Sequence, residues 1–513
     1  MRRATAGDPV PSVELASVTV RFLVPRDLGY ARADAARGAR ADAIALAVWA
    51  FQVADSVDRG AESVEVTVGA AADGVAAVTA AGSVLGPLGD LLADGVVHSG
   101  GQLPAIFAAA QRDLDRAGAR WPHDALGDLL DQLAAYTARS ARHDPLHTAA
   151  LVAELVARHR ASRRDWVPAL GTEEPAQTPL RHLRLTGLGA QVRGDAESRS
   201  VEVYLAHTEA RIVLTLPHTI TATDGQELPD ATVLGARRTG PARLAEYAAG
   251  NVVTESATRS ANRTVRLANN RIARTSVLPS AGNWENLPPE LLIGDLTAES
   301  ARLATLPPAL IRPRVRGESV RALVVDSVED VHYLPAEQRL LARLHGPVGS
   351  VLAHYTHSTA AAGAIDALTQ AFSGIHGPIR YIAGPLERHA GQLTVTPTAV
   401  VAGTTVIVPA FAQATTLETP TSPLPQPDPL SAALTSALSC TAELIHRGTR
   451  HLPPSWSTRA AESAATLRRA GFTTAATSLD ALRAAISPDS PPLPTLATWA
   501  DTHLRLLLTA EQL

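Results

Sequence analysis

The chain has no lysine, a single cysteine and few aromatics, with Phe, Trp and Tyr at 4 % of its 513 residues. Each absence closes off some chemistry. One cysteine, Cys440, excludes an intramolecular disulfide and a cysteine-rich zinc site. Without lysine the Walker phosphate loop cannot be built, and neither a G-x-S-x-G nucleophile elbow nor an H-E-x-x-H zincin motif occurs. No run approaches the roughly eighteen apolar residues of a membrane span. The N-terminus opens on two arginines without the apolar stretch of a leader, so the reading expects a cytoplasmic protein with no membrane contact. A net charge of −4 supplies no global attraction to nucleic acid.

What is present reads as globular. Hydrophobic residues make up 46 % and charged residues 19 %, and the length calls for several units of about 100–200 residues each. The period of the apolar residues divides the chain. Residues 1–84 alternate strand, helix and strand ("VELASVTVRFLVP", "ADAIALAVWAF", "ESVEVTVGA"), a small α/β unit. Residues 85–168 show apolar residues three and four apart, a helical bundle in which Asp144 caps a helix with Pro145 at its first turn. Residues 180–414 fall to period two and predict a β-rich antiparallel domain with inserted helices. Residues 415–429 are a Pro-rich linker, and 430–513 a C-terminal helical bundle. The fold class is therefore α+β and multidomain. No internal repeat of fixed period stands out.

The most unusual stretch is "SATRSANRTVRLANNRIARTSVLPS", with Arg259, Arg263, Arg266, Arg271 and Arg274 and no acid. A helix over about Ala242–Asn262 would place Arg259 and Arg263 one turn apart at its end, and a hairpin would carry the other three. Guanidinium forks with Asn side chains can bind phosphates. No aromatic for base stacking is interleaved before Trp284, so pairing with acids such as Glu255, Asp295 or Glu299 is the stronger reading. Two histidine pairs come near metal-ligand spacing. In "HDPLH" the helix start falls between His143 and His147, and on a strand His354 and His357 would point to opposite faces. His332 and His345 lie upstream without a carboxylate that completes a site. Asp128, Asp131, Asp326, Glu329 and Asp330 read as solvated faces, and Cys440 as a small buried hydrophobe. No catalytic residue, metal site or cofactor is assigned.

"LAEYAAGNVVTESATRSANRTVRLANNRIARTSVLP", then "WENLPPELLIGDL" and "HGPIRYIAGPLERHAGQLTVTPTAVV", resemble the region downstream of the zinc finger in bacterial SWIM-type proteins. "ELIHRGTRHLPPSWSTRAAESAATLRRAGFTTAATSLDAL" resembles the closing helices of the same proteins, so the likeness covers residues 85–513. It implies the company of a MoxR-type AAA+ ATPase and a von Willebrand factor A-domain protein. The SWIM finger needs C-x-C followed by C-x-H, and no cysteine precedes Cys440. Zinc therefore does not carry over, and the N-terminal unit reads as a degenerate finger. The expected function is a non-catalytic scaffold or adaptor, a partner-recognition component of such an ATPase. The alternative is a nucleic-acid-binding protein that uses the arginine segment 256–280.

Overall fold

The computed structural model describes residues 10–15, 18–35, 37–57, 59–66, 68, 74–195, 197–222, 228–268, 274–389, 391–415, 428–487 and 490–513. The N-terminal unit is an antiparallel sheet, β1 (Ser12–Glu14), β2 (Thr19–Phe22) and β3 (Ala31–Ala33), covered by α1 (Arg37–Val57). Val13, Val20, Ala43, Ala47 and Ala50 form its small core. The strand expected in "ESVEVTVGA" is not formed among its described residues. Val66 and Val68 pack on this core, with an isolated bridge at Ser63.

Six α-helices follow among the described residues. They are α2 (Gly74–Ser83), α3 (Leu85–Asp94), α4 (Gln102–Arg116), α5 (Arg120–Thr137), α6 (Pro145–Ser162) and the short α7 (Trp166–Leu170). Asp144 caps α6, accepting from the Leu146 N–H at 2.8 Å with Pro145 at the first turn. Gly74–Asp94 is the one run among the described residues long and apolar enough to cross a membrane, and its Ala77, Ala81, Val84, Leu88, Leu91 and Leu92 lie in the helical core.

The chain then builds an antiparallel sheet from β4 (Gln177–Gly194), β5 (Ser198–His207) and β6 (Ile212–Thr221), the expected meander. After α8 (Ala231–Ala236), the two-residue strands β7 (Arg238–Thr239) and β8 (Ala242–Arg243), and α9 (Leu244–Ala249), the long β9 (Asn251–Ser260) pairs with β4. The helix expected over Ala242–Asn262 is thus only its first turns. Gly250 ends α9, and the β-branched run Val252–Val253–Thr254 favours a strand. Arg259 and Arg263 accordingly do not share a helix. β10 (Val265–Leu267) and β11 (Thr275–Leu278) both pair with β9 rather than with each other, which corrects the expected hairpin. A bridge between Thr215 and Thr264 brings β6 round to the start of β10, curling this sheet into a barrel.

A second sheet holds β12 (Leu292–Ile293), β13 (Val320–Val324), β14 (Ser327–Leu334), β15 (Arg339–His345), β16 (Ser350–Thr356), β17 (Ile379–His389), β18 (Gln392–Val395), β19 (Ala399–Ala402) and β20 (Thr405–Ile407). α10 (Leu296–Ala304) precedes β13 and α11 (Ala364–Phe372) joins β16 to β17. β14, β15 and β16 form an antiparallel meander, and β16 meets β18 in parallel. The two sheets share one apolar core, with Leu188, Tyr204 and Val213 of the first meeting Ala322 and Ala383 of the second and Trp284 of the 3₁₀ turn that precedes it.

The last four helices are α12 (Pro429–Arg447), α13 (Ser455–Arg469), α14 (Thr473–Ala485) and α15 (Pro492–Gln512). They do not form a bundle apart from the first. Leu88, Leu91, Phe107, Leu129 and Val152 share one core with Leu444, Ile445, Leu467, Leu482 and Trp499. Two segments separated by the whole β region thus make a single helical domain, because neither buries its apolar face alone.

These two segments are also repeats of each other. Each runs helix, glycine, three-residue 3₁₀ turn ending in histidine, then three further helices. Gly95 and Gly448, His98 and His451, and the identical words L-x-R-A-G at 114–118 and 467–471 all stand at one constant spacing. Both L-x-R-A-G words close a helix identically. The N–H after the glycine donates to the leucine carbonyl at 2.9 Å in Ala119 and in Phe472. In the fourth helix Thr148 and Thr495 each bond back to the carbonyl preceding the first-turn proline. With that register, buried Ala149, Val152, Ala153 and Val156 of α6 correspond to buried Leu496, Trp499, Ala500 and His503 of α15.

The repeats meet about an approximate two-fold axis. Gly95 (φ 79°) and Gly448 (φ 86°) cross so closely that a Cβ on either would lie 2.1 or 2.3 Å from the backbone of the other segment. Beside them His98 and His451 have ring centroids 3.9 Å apart. No fixed period shows in the sequence because a β region longer than either copy separates them, and little is shared beyond the Gly95/Gly448 and His98/His451 positions and the L-x-R-A-G words.

Candidate functional site

Two polar sites stand out, and the arginine segment belongs to the first. Arg259 is 2 % exposed on β9, at the mouth of the first barrel. Burial lowers its pKa to about 10, opposed by Asp34 of the N-terminal unit and Glu174 of the α7–β4 connection. The same burial, opposed in turn by Arg259, raises Asp34 to about 6 and Glu174 to about 7. His207 of β5 is pushed down to about 4, by burial first and by Arg259 second. Arg263, in a tight turn with φ 62°, holds Glu14 of β1 at 2.9 Å. Arg259 and Arg263 therefore tie the N-terminal unit to the barrel.

Arg266 and Arg274 are not brought into this cluster. Arg266 on β10 and Arg274 before β11 are exposed, and the Arg274 backbone N–H donates to the Glu255 carboxylate at 3.1 Å. Arg271 lies outside the described residues. Of the other acids expected to pair with the segment, Asp295 instead caps α10, and Glu299 holds Arg302 with two bonds of 2.7 Å.

The second site is a cleft of about 620 Å³ between α4, α5 and α6 on one side and a strap at residues 309–316 on the other. Pro307, Pro308 and Pro313 keep this strap extended around the 3₁₀ turn Ala309–Ile311. Arg158 of α6 is 1 % exposed and fully used. Its Nε donates to Glu154 at 2.7 Å, Nη1 to the Ala169 carbonyl at 3.0 Å and Nη2 to the Arg312 carbonyl at 2.6 Å. Arg314 of the strap reaches into the cleft and bridges Glu154 and Asp128. Burial raises the Asp128 pKa, against the pull of Arg314. Two outer arginines anchor the strap elsewhere, Arg312 to Glu511 at 3.3 Å and Arg316 to Glu202 at 2.7 Å. This is a polypeptide segment held in an acidic slot by its main chain and one guanidinium.

Asp128 and Asp131, expected to be solvated, line this cleft, Asp131 at its exposed edge. Glu154, Arg158 and Arg314 were not singled out from sequence. The i,i+4 pair in "AELVAR" and the proline-flanked arginines of "PPALIRPRVR" are the signals that carry them. His143 meets His446 of α12 at 3.3 Å between ring nitrogens, whereas His147 is exposed. His354 bonds Thr396, His345 lies 3.3 Å from Glu329, and Asp330 lies 3.5 Å from Arg343. Cys440 is buried beside Ser463. Among the described residues no group of three or more His, Cys, Asp or Glu is placed to hold a metal.

Comparison with known proteins places two parts of this architecture. Residues 79–182 match the YehQ four-helical bundle domain, so α4, α5 and α6, the helical wall of the cleft, fall within it, whereas the strap does not. Residues 317–432 match the YehQ C-terminal OB-fold domain, the second sheet. The chain is 26 % identical over 372 residues to Protein YehQ of Escherichia coli (strain K12), covering 68 % of this chain and 59 % of that relative's length. No solved structure matches. The chain thus carries a four-helical bundle and a C-terminal OB-fold of the YehQ type, and has a bacterial YehQ homologue.

Proposed function

We propose that the chain is a non-catalytic cytoplasmic scaffold or adaptor that recognises polypeptide segments of protein partners. The strap in its cleft is the observation behind this reading. The helical domain holds an extended segment through Arg158 on one of its main-chain carbonyls, that of Arg312, and through Glu154 and Asp128 on its arginine. The partners proposed are a MoxR-type AAA+ ATPase and a von Willebrand factor A-domain protein, and this rests on the resemblance to SWIM-type proteins alone. Co-purification of the tagged chain from its host, followed by reconstitution with the purified ATPase, tests it. A stable complex is expected, and a chain that stays alone with both partners present rejects the assignment.

A nucleic-acid reading is favoured by one feature, the OB-fold match, since barrels of that kind often take oligonucleotides. The arginine segment lends it little, because Arg259 and Arg263 are engaged within the protein. Fluorescence anisotropy with single-stranded DNA and RNA decides between the readings. Binding that falls steeply with salt and weakens in Arg266→Ala supports the nucleic-acid role.

A further inference from the structure

The two repeats differ in what lies on their fourth helix. On α6 the stripe Leu151, Glu154, Arg158 and Ser162 is buried under the strap, α2 and α7. In the register of the repeat the same stripe on α15 is Thr498, Asp501, Arg505 and Thr509, and Asp501 and Arg505 are exposed. A glutamate four residues before an arginine on α6 is thus an aspartate four residues before an arginine on α15. Around Asp501 and Arg505 runs an open groove of about 500 Å³, also lined by Leu504, Leu508 and Arg160.

We propose that this open face of α15 is a docking site for an extended segment of a protein partner, held as the strap is held on α6. The proposal rests on the scaffold reading and adds where the partner binds and with what chemistry. Arg505 stands where Arg158 stands, so its guanidinium is placed to donate to a main-chain carbonyl of the incoming segment, as Arg158 does to Arg312. Asp501 stands where Glu154 accepts Arg314, so the segment carries an arginine. That arginine displaces Arg160, which holds Asp501 at 2.6 Å on the exposed surface, a pair of small stability.

The copies differ in ways that shape the preference. Ala481 replaces Asp128, so one carboxylate fewer faces the arginine. Leu504 and Leu508 replace Ala157 and Ala161, and Leu508 is 36 % exposed, so the groove offers more apolar contact. The occupant is therefore an extended, proline-flanked segment with one arginine and apolar neighbours.

The test uses the intact chain and a fluorescein-labelled peptide of residues 306–317, LPPALIRPRVRG, followed by anisotropy. Saturable binding of one peptide per chain is expected. It should weaken by about tenfold or more in Arg505→Glu and in Leu508→Asp, since few contacts dominate such a site. Because both side chains are at the surface, each variant should keep the parent's thermal transition. A peptide with alanine in place of the arginine equivalent to Arg314 should bind more weakly. Absence of saturable binding, or binding unchanged in both variants because the peptide exchanges with the strap on α6, overturns the proposal. Either failure leaves the scaffold reading standing, because co-purification with an ATPase does not depend on this peptide.

Discussion

The two helical repeats share a backbone plan and differ in what covers it. Both use the same glycine crossing, the same L-x-R-A-G helix stop and the same buried stripe on the fourth helix. In the first repeat the next face of that helix is sealed by residues from elsewhere in the chain, and a charged pair becomes part of the interior. In the second the equivalent pair stays in water. The apolar pattern decides how the helices pack, whereas the burial of a polar residue depends on segments far away in sequence.

The largest effect should come from the feature common to both repeats. Gly95→Ala or Gly448→Ala forces a Cβ into backbone at the crossing and a left-handed φ on alanine. A loss of about 3 kcal/mol or more is expected in urea unfolding followed by far-ultraviolet dichroism. A smaller loss would mean that the repeats can separate at the axis.

Next come the positions at which the repeats diverge. Arg158→Ala takes from Glu154 one of its two guanidinium partners, Arg314 remaining, and removes the donor from the Ala169 and Arg312 carbonyls. It should cost about 3 kcal/mol, from a lost charge-assisted bond and two carbonyls left without this donor. Arg505→Ala, the same place in the other repeat, should leave the unfolding midpoint unchanged. Equal effects would break the comparison. Arg259→Ala should behave like Arg158→Ala, and Arg274→Ala like Arg505→Ala.

The response to pH sets the helical domain against the barrel mouth. His503 on α15 is held neutral by burial, with its pKa pushed down to about 3, while an unfolded histidine near 6.5 would take the proton. Its contribution is complete above about 6.5 and is lost as pH falls toward 3. Asp34 and Glu174 run the other way. Raised to about 6 and about 7, they hold protons in the folded chain where unfolded carboxyls have released theirs. Their contribution is complete below the ordinary carboxyl range and is lost as pH rises through about 6 and about 7. Hydrogen exchange at pH 5 and 8 should show the helices better protected at pH 8. Asp34→Asn with Glu174→Gln should flatten the opposite trend at β9.

Element types were legible wherever the apolar period ran long. The meander β4–β6, helices α4–α6 and helices α12–α15 follow from spacing alone, and the Asp144–Pro145 cap fixed one boundary. The helix drawn through Ala242–Asn262 failed because Ala-rich "LAEYAAG" led into a β-branched stretch of opposite preference. Asp128 read as solvated because its neighbours Glu154 and Arg314 are distant in sequence. The arginine segment was conspicuous by composition, yet its members separated by burial. Arg259 went inside to face Asp34 and Glu174, which no local pattern announces, while Arg266 and Arg274 stayed outside.

The account depends on the two distant helical segments folding as one unit about the Gly95–Gly448 crossing. Native-state hydrogen exchange on the intact chain, read at Leu88–Ala93 of α3 and Thr441–Ile445 of α12, measures that directly. A single shared opening free energy for both helices, lowered equally in Gly448→Ala, is the predicted result. Separate opening energies, with α3 unmoved by the substitution in α12's own turn, would contradict it.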